Sequence, residues 1–112
     1  MNTLYLKWKD LNNKIYTLAA LYKEDDFYYM IINRKEIDKA KENGCYGIGT
    51  IDTNKSGYKS KELFAFFKNR IIQKDNPYLD EFLEKYNIKK YDEMEILRIT
   101  KGILGTDRYF IE

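Results

Sequence analysis

Ser60-Lys-Glu-Leu-Phe-Ala-Phe-Phe-Lys-Asn-Arg-Ile71 packs five large apolar side chains into one helical length. Leu63, Phe64, Phe67 and Ile71 fall at i, i+1, i+4 and i+8, the rhythm of a buried helical face, and Phe66 widens that stripe. Ser60 is placed to cap it, because its hydroxyl can accept from an amide that the first turn leaves unpaired. The spacing predicts a helix from Ser60 to Ile71. It would be the post on which a small sheet before it and two shorter helices after it assemble.

Upstream, Leu4 to Trp8 alternates, with Leu4, Leu6 and Trp8 on one face and Tyr5 and Lys7 on the other, as in a half-buried strand. Asp10-Leu-Asn-Asn-Lys14 has turn chemistry, since asparagine tolerates left-handed backbone angles, and Ile15 to Tyr22 follows as the second arm of a hairpin. After the charged turn Lys23-Glu-Asp-Asp26, Phe27 to Ile32 is apolar on both faces, which predicts a strand lying centrally or under a helix. Asn33-Arg-Lys-Glu36 matches a capping box, so a short helix should run to Asn43 and stop at Gly44. Its apolar face is thin, only Ile37 and Ala40, which predicts a surface position. Gly44 to Tyr58 is rich in loop formers, and Ile48 to Ile51 within it can supply an edge strand.

Downstream, Asn76-Pro77 marks a helix start, and Leu79, Phe82, Leu83 and Tyr86 form one stripe at i, i+3, i+4 and i+7. Asp92 to Glu95 is a second capping box, with Tyr91 and Ile96 at the positions of a hydrophobic staple. Gly102 and Gly105 should end that last helix, and Asp107 to Ile111 reads as a final strand with Tyr109 and Ile111 on one face. The expected fold is α+β, a single domain over 1–112. Its small antiparallel sheet, a three-stranded meander plus a C-terminal strand, packs against three to four short helices.

A hydrophobic share of 44% with eleven tyrosines argues for a folded globule rather than disorder. Charged residues reach 34% but nearly cancel to a formal net charge of +2, which is not the concentrated basic surface that phosphate binding draws on. There is no histidine and Cys45 is the only cysteine, so neither a Cys-His pair nor an intrachain disulfide can form. Gly47-Ile48-Gly49 lacks the third glycine and the lysine-threonine pair of a phosphate cradle. The carboxylate pairs Asp25-Asp26 and Glu93/Glu95 fall in a turn and at a helix start, where solvation and capping account for them. No cofactor, metal, small-molecule substrate or membrane contact is expected. Without an apolar leader or a run of transmembrane length, the chain reads as cytoplasmic.

Four segments in this order carry a resemblance: Leu4-Tyr-Leu-Lys-Trp8, Glu62-Leu-Phe-Ala-Phe-Phe-Lys-Asn-Arg-Ile71, Tyr86-Asn-Ile-Lys-Lys-Tyr-Asp-Glu-Met-Glu-Ile-Leu97 and Thr100-Lys-Gly-Ile-Leu-Gly-Thr-Asp107. Together they resemble the small N-terminal subdomain of HipA-type toxin kinases, which also occurs free-standing as the HipS subunit of three-part HipBST toxin-antitoxin systems. They are similar, too, to the segment preceding HIRAN modules in some bacterial proteins. Ile71-Ile72 stands where those proteins have leucine-proline, and Lys101-Gly102 where they have a double glycine. No ATP-binding loop, catalytic-loop motif or Asp-Phe-Gly-like run is present. The resemblance implies a non-enzymatic interaction module, an antitoxin or regulatory subunit that binds and restrains a kinase-like toxin or a DNA-binding partner.

Tyrosine supplies interface area at low entropic cost, which makes Trp8, Tyr28, Tyr46, Tyr58, Asn69, Arg70 and Arg108 the candidate partner contacts. Trp8 more often belongs to the core, and Arg70 more often satisfies carbonyls at a helix end. Two other readings stay open. One is a phage or mobile-element inhibitor that docks on a host nuclease or defence protein. The other is a nucleic-acid-binding accessory protein in which Lys7, Lys9, Lys14, Lys55, Lys59, Lys61, Lys68 and Arg70 share a face with aromatic rings.

Overall fold

The structure, a computed structural model, describes residues 2–112. β1 (Leu4–Lys9) buries Leu4, Leu6 and Trp8 and leaves Tyr5 exposed, as its alternation requires. β2 (Ile15–Glu24) returns antiparallel to it after a turn in which Asn13 takes φ 64°. The register slips between Leu6 and Lys7, so Leu6 faces Ala19 while Lys7 faces Thr17. Leu18 is the extra residue of this bulge, and the bulge lets Leu18 and Ala19 both point into the core.

Asp25 and Asp26, at φ 51° and 66°, make the two-residue hairpin loop to β3 (Phe27–Ile32), where positive φ matches the twist of the flanking strands. β4 (Gly57–Ser60) pairs antiparallel with β3, and the C-terminal β5 (Tyr109–Ile111) pairs antiparallel with β1. The five-stranded order is therefore β4-β3-β2-β1-β5. β3 is an interior strand, paired with β2 and β4, and its Tyr28, Met30 and Ile32 face lies under the helices, one of the two placements its apolar character predicts; β2 is the middle strand.

α1 (Arg34–Glu42) begins at Asn33, whose side chain accepts from Glu36 N at 3.2 Å. Glu36 does not complete the box by reaching back; its carboxylate accepts from Thr17 N of β2 at 3.4 Å and so ties the helix to the sheet. α4 (Glu93–Thr100) is capped by Asp92, which accepts from Glu95 N, and ends at Lys101 in the left-handed region. In α3 (Leu79–Lys85) the predicted stripe is only half-buried: Phe82 and Leu83 touch the core and Tyr86 is exposed.

The Ser60–Ile71 helix is not formed. Ser60 belongs to β4, opposite Tyr28, and its hydroxyl accepts from Glu62 N in a tight turn. Phe64 is extended at ψ 139°, which leaves only the single-turn α2 (Ala65–Lys68). Strand pairing takes the residues that would nucleate the longer helix, and nucleation is the costly step. The burial pattern survives: Leu63, Phe67 and Ile71 are all in the core. Ile48 to Ile51 forms a turn, with Ile51 N donating to Ile48 O, rather than an edge strand. The inward faces of the strands meet Ile37 and Ala40 of α1, Phe67 of α2 and Ile96 and Leu97 of α4 in one cluster. Helices thus cover one face of the sheet alone.

Asp10 organises the first turn. Its carboxylate accepts from Asn12 N at 2.8 Å, Lys14 N at 3.0 Å and the Tyr16 hydroxyl at 3.1 Å. The bond from the Lys14 amide is the main reason its pKa lies below the usual aspartate value. A carboxylate depressed in the folded state stabilises the fold above the unfolded pKa, and that contribution is lost as pH falls through the folded pKa. Asp10→Asn should therefore flatten the acid limb of Tm against pH below about pH 4. An acid limb as steep as that of the native chain would contradict this role.

Candidate functional site: the open face of the sheet

Side chains of directly paired strand residues project to the same face of a sheet, so the register identifies what lies opposite the helices. One row is Tyr5, Ala20, Ile31 and Gly57; the next is Tyr22, Tyr29 and Lys59; Phe27 stands beyond them, and Lys7 pairs with Phe110 on the other side. An antiparallel sheet covered on one side normally turns polar residues outward. Here Tyr5, Ile15, Ala20, Tyr22, Phe27, Tyr29, Ile31 and Phe110 stand outward beside Lys7, Lys9, Thr17, Glu24 and Lys59. Tyr5 is 44% exposed and Ile15 and Ile31 are each 46% exposed, and none of these joins the core cluster.

The rings and lysines on this face are arranged against one another. Tyr22 and Tyr29 stack with centroids 5.0 Å apart at 12°. Lys59 Nζ lies 4.2 Å from the Phe27 centroid and 5.7 Å from that of Tyr29, and Lys61 Nζ is 5.9 Å from Phe27. On the far margin Lys9 Nζ sits 5.9 Å from Phe110, while Lys7 pairs with Glu112 at 3.0 Å. Such exposed cation–π contacts are worth about 0.5–1 kcal/mol each, less than the roughly 1.5–2 kcal/mol of rotamer freedom a fixed lysine loses, so they bias the lysines toward the rings without fixing them.

The residues expected to contact a partner do not form one surface. Trp8 is a core residue against Tyr16, and Tyr28 is buried with its hydroxyl donating to Glu93 Oε1 at 2.9 Å. Burial, followed by that carboxylate, pushes the Tyr28 phenol well above its ordinary pKa and keeps it a donor. Arg70 is also buried: Nη1 donates to Gly102 O at 2.8 Å, Nη2 pairs with Asp107, and the guanidinium lies over Phe66 and Tyr109. Tyr58 is half-buried and donates to Asp52 O, Asn69 is exposed at the end of α2, and Tyr46 stands 95% exposed in the loop after α1. Arg108 is exposed, yet its guanidinium donates to Lys9 O and Asp10 O, fastening β5 to the first turn.

Tyr5, Ile15, Tyr22, Phe27, Tyr29, Ile31 and Phe110 were not among the predicted contacts. The signal for β3 was its apolar character on both faces, which reads as central burial but equally marks a strand with one face in the core and the other turned to a partner. Of the cations considered for phosphate binding, Lys7, Lys9, Lys59 and Lys61 lie on or beside this face, Lys68 lines a cleft and Arg70 is internal.

That cleft, about 870 Å³, lies between the β2–β3 hairpin and α4. Lys23, Lys68, Lys74 and Lys90 line it together with Glu62, Asp75, Asp92 and Glu93, and two of these carboxylates have local duties: Asp92 caps α4 and Glu93 holds Tyr28. Glu95, outside it, pairs with Arg98, whose hydrogen bond lowers its pKa. Cys45 is buried, its Sγ 3.6 Å from the Tyr109 hydroxyl, and burial first and this thiol second raise the Tyr109 pKa. Among the described residues no cluster of carboxylates and cysteine is arranged to hold a metal ion, and no helix is long and apolar enough to cross a membrane. No protein-family model matches the chain, and no curated protein matches it at a significant level.

Proposed function

We propose that this protein is a non-catalytic docking module that seats a protein partner on the open face of its sheet. The observation that carries the proposal is the outward row of Tyr5, Ala20 and Ile31 with Tyr22, Tyr29, Phe27 and Phe110 around it, a contiguous apolar surface of the kind that soluble proteins keep for partners. Two features favour protein over single-stranded nucleic acid. Tyr22 and Tyr29 each spend a ring face on the other, and Lys59 covers Phe27, so the ring faces that bases would stack on are already in use. Aliphatic Ile15 and Ile31, which offer no stacking plane, are as exposed as Tyr5, at 46% each against 44%.

In its most specific form, drawn from the resemblance to the HipA-type N-terminal subdomain, the module is HipS-like. It works in the cytoplasm as an antitoxin or regulatory subunit that holds a kinase-type toxin inactive. Quantitative affinity capture from cells that encode the protein tests the proposal. Ile31→Glu bait should recover the partner at least about tenfold less well than the native bait, since a charge there is desolvated without compensation on docking. The same change should cost no more than about 1.5 kcal/mol of stability, because Ile31 is already half in solvent and only the other half of its transfer energy is lost. Equal recovery by native, Tyr5→Glu and Ile31→Glu baits would overturn the proposal, and a kinase among the lost proteins would support its specific form.

A further inference from the structure

We infer that the partner segment seated on this face presents two groups of carboxylates, about 14 Å apart, bracketing apolar side chains; the spacing is that of three strand-to-strand steps, from β4 to β1. The inference rests on the docking reading above and adds the partner's chemistry to it.

The face has an apolar middle and cationic margins. Ala20, Tyr22, Tyr29 and Ile31 occupy β2 and β3 at the centre, Lys59 and Lys61 stand at the β4 side, and Lys7 and Lys9 stand on β1. Two acids share it, and they do not balance the margins. Glu112 is committed to Lys7 at 3.0 Å and to Lys101 at 3.7 Å, and Glu24 sits at the hairpin end opposite Phe27. Among the described residues, Lys9, Lys59 and Lys61 have no carboxylate within 4.0 Å and rest over aromatic rings instead. A recess of about 530 Å³ continues the β1 margin around β5, where Lys9, Lys101 and Arg108 stand with Asp107, which is paired to Arg70, and Glu112, which is paired to Lys7 and Lys101.

An ammonium held over a ring keeps its charge on the side away from the ring, where it is available to a second, anionic partner. When docking removes water from the face, an unpaired lysine there is costly unless a carboxylate meets it. A basic or neutral partner would leave at least three such lysines stranded. An acidic one satisfies both margins, with the Phe27, Tyr29, Ile31 and Tyr5 side chains covered in between.

A phage-displayed library of random 16-residue peptides, selected on the native protein and counter-selected on Ile31→Glu, provides the test. Enriched peptides should carry a net negative charge, with aspartate or glutamate on both sides of aromatic or aliphatic residues. Their affinity should fall roughly tenfold for the Lys9→Glu/Lys59→Glu double variant, from loss and reversal of two exposed pairs, and should fall further as salt rises. Enriched peptides without an excess of acid, or with unchanged affinity for the double variant, would overturn the inference while leaving the docking reading in place. Peptides that bind Ile31→Glu as well as the native protein, or no enrichment at all, would remove both. A dT15 oligonucleotide binding the native face more tightly than the selected peptides at physiological salt would replace the acidic protein with a nucleic acid.

Discussion

Phe67→Ala should cost the fold about 3–5 kcal/mol and lower Tm by roughly 10–20 °C, the largest loss expected from any single truncation here. Phe67 is the bulkiest of the fully buried side chains, and its backbone is held in the one-turn α2, so neighbouring elements have little freedom to close the cavity. It also meets Phe66 edge-on at 5.6 Å, a contact that goes with it. Phe66 lies one residue earlier and is partly exposed, so Phe66→Ala should cost clearly less. Urea denaturation of the two variants measures the difference. A smaller loss for Phe67→Ala than for Phe66→Ala would mean that the segment is rotated from the packing described here.

Arg70→Met should destabilise by about 2–4 kcal/mol, chiefly because a buried carbonyl loses its donor. The side chain of Arg70 is 4% exposed and that of Asp107 is 29% exposed, so the carboxylate can be rehydrated while Gly102 O cannot. The guanidinium joins the segment after α2 to the loop ahead of β5, and it fills the space between Phe66 and Tyr109, 4.6 and 5.1 Å from their centroids. Asp107→Asn, which keeps an acceptor in place, should lose less. Equal stability of native and Arg70→Met protein in urea would show that methionine packing compensates fully, and the residue would return to the list of surface candidates. A charge reversal at Arg70 reports on folding and not on docking.

Local signals carried most of the fold. Alternation in Leu4 to Trp8, the Asn13 and Asp25-Asp26 turns, and the Asn33 and Asp92 caps are each decided within a few residues, so the sequence shows them directly. Ser60–Ile71 failed because its competitor is distant: Ser60 pairs with Tyr28, and no window around the segment contains that partner. β4 was hidden for the same reason, since Gly57-Tyr-Lys-Ser60 has no alternation of its own and is a strand only because the edge of β3 accepts it.

The candidate surface was harder to read than the core. Tyr28 and Tyr29 are adjacent and chemically identical, yet pairing turns the first toward Glu93 and the second toward Tyr22 in the open row. Residue type alone favoured Trp8, Tyr28 and Arg70, because tryptophan, tyrosine and arginine suit cores and interfaces equally well. The register, set by turns on either side and by the Leu18 bulge, decides between them.

Fluorine NMR of the protein labelled with 3-fluorotyrosine, with a soluble paramagnetic agent present, tests directly whether the open face receives the partner. In the free protein the Tyr5, Tyr22 and Tyr29 signals should be broadened and those of Tyr16 and Tyr28 spared. Adding the captured partner or a selected peptide should protect Tyr5, Tyr22 and Tyr29, while Tyr46 and Tyr78, exposed outside this face, stay broadened. Protection of Tyr46 or Tyr78 with Tyr5, Tyr22 and Tyr29 left as accessible as before would contradict the account.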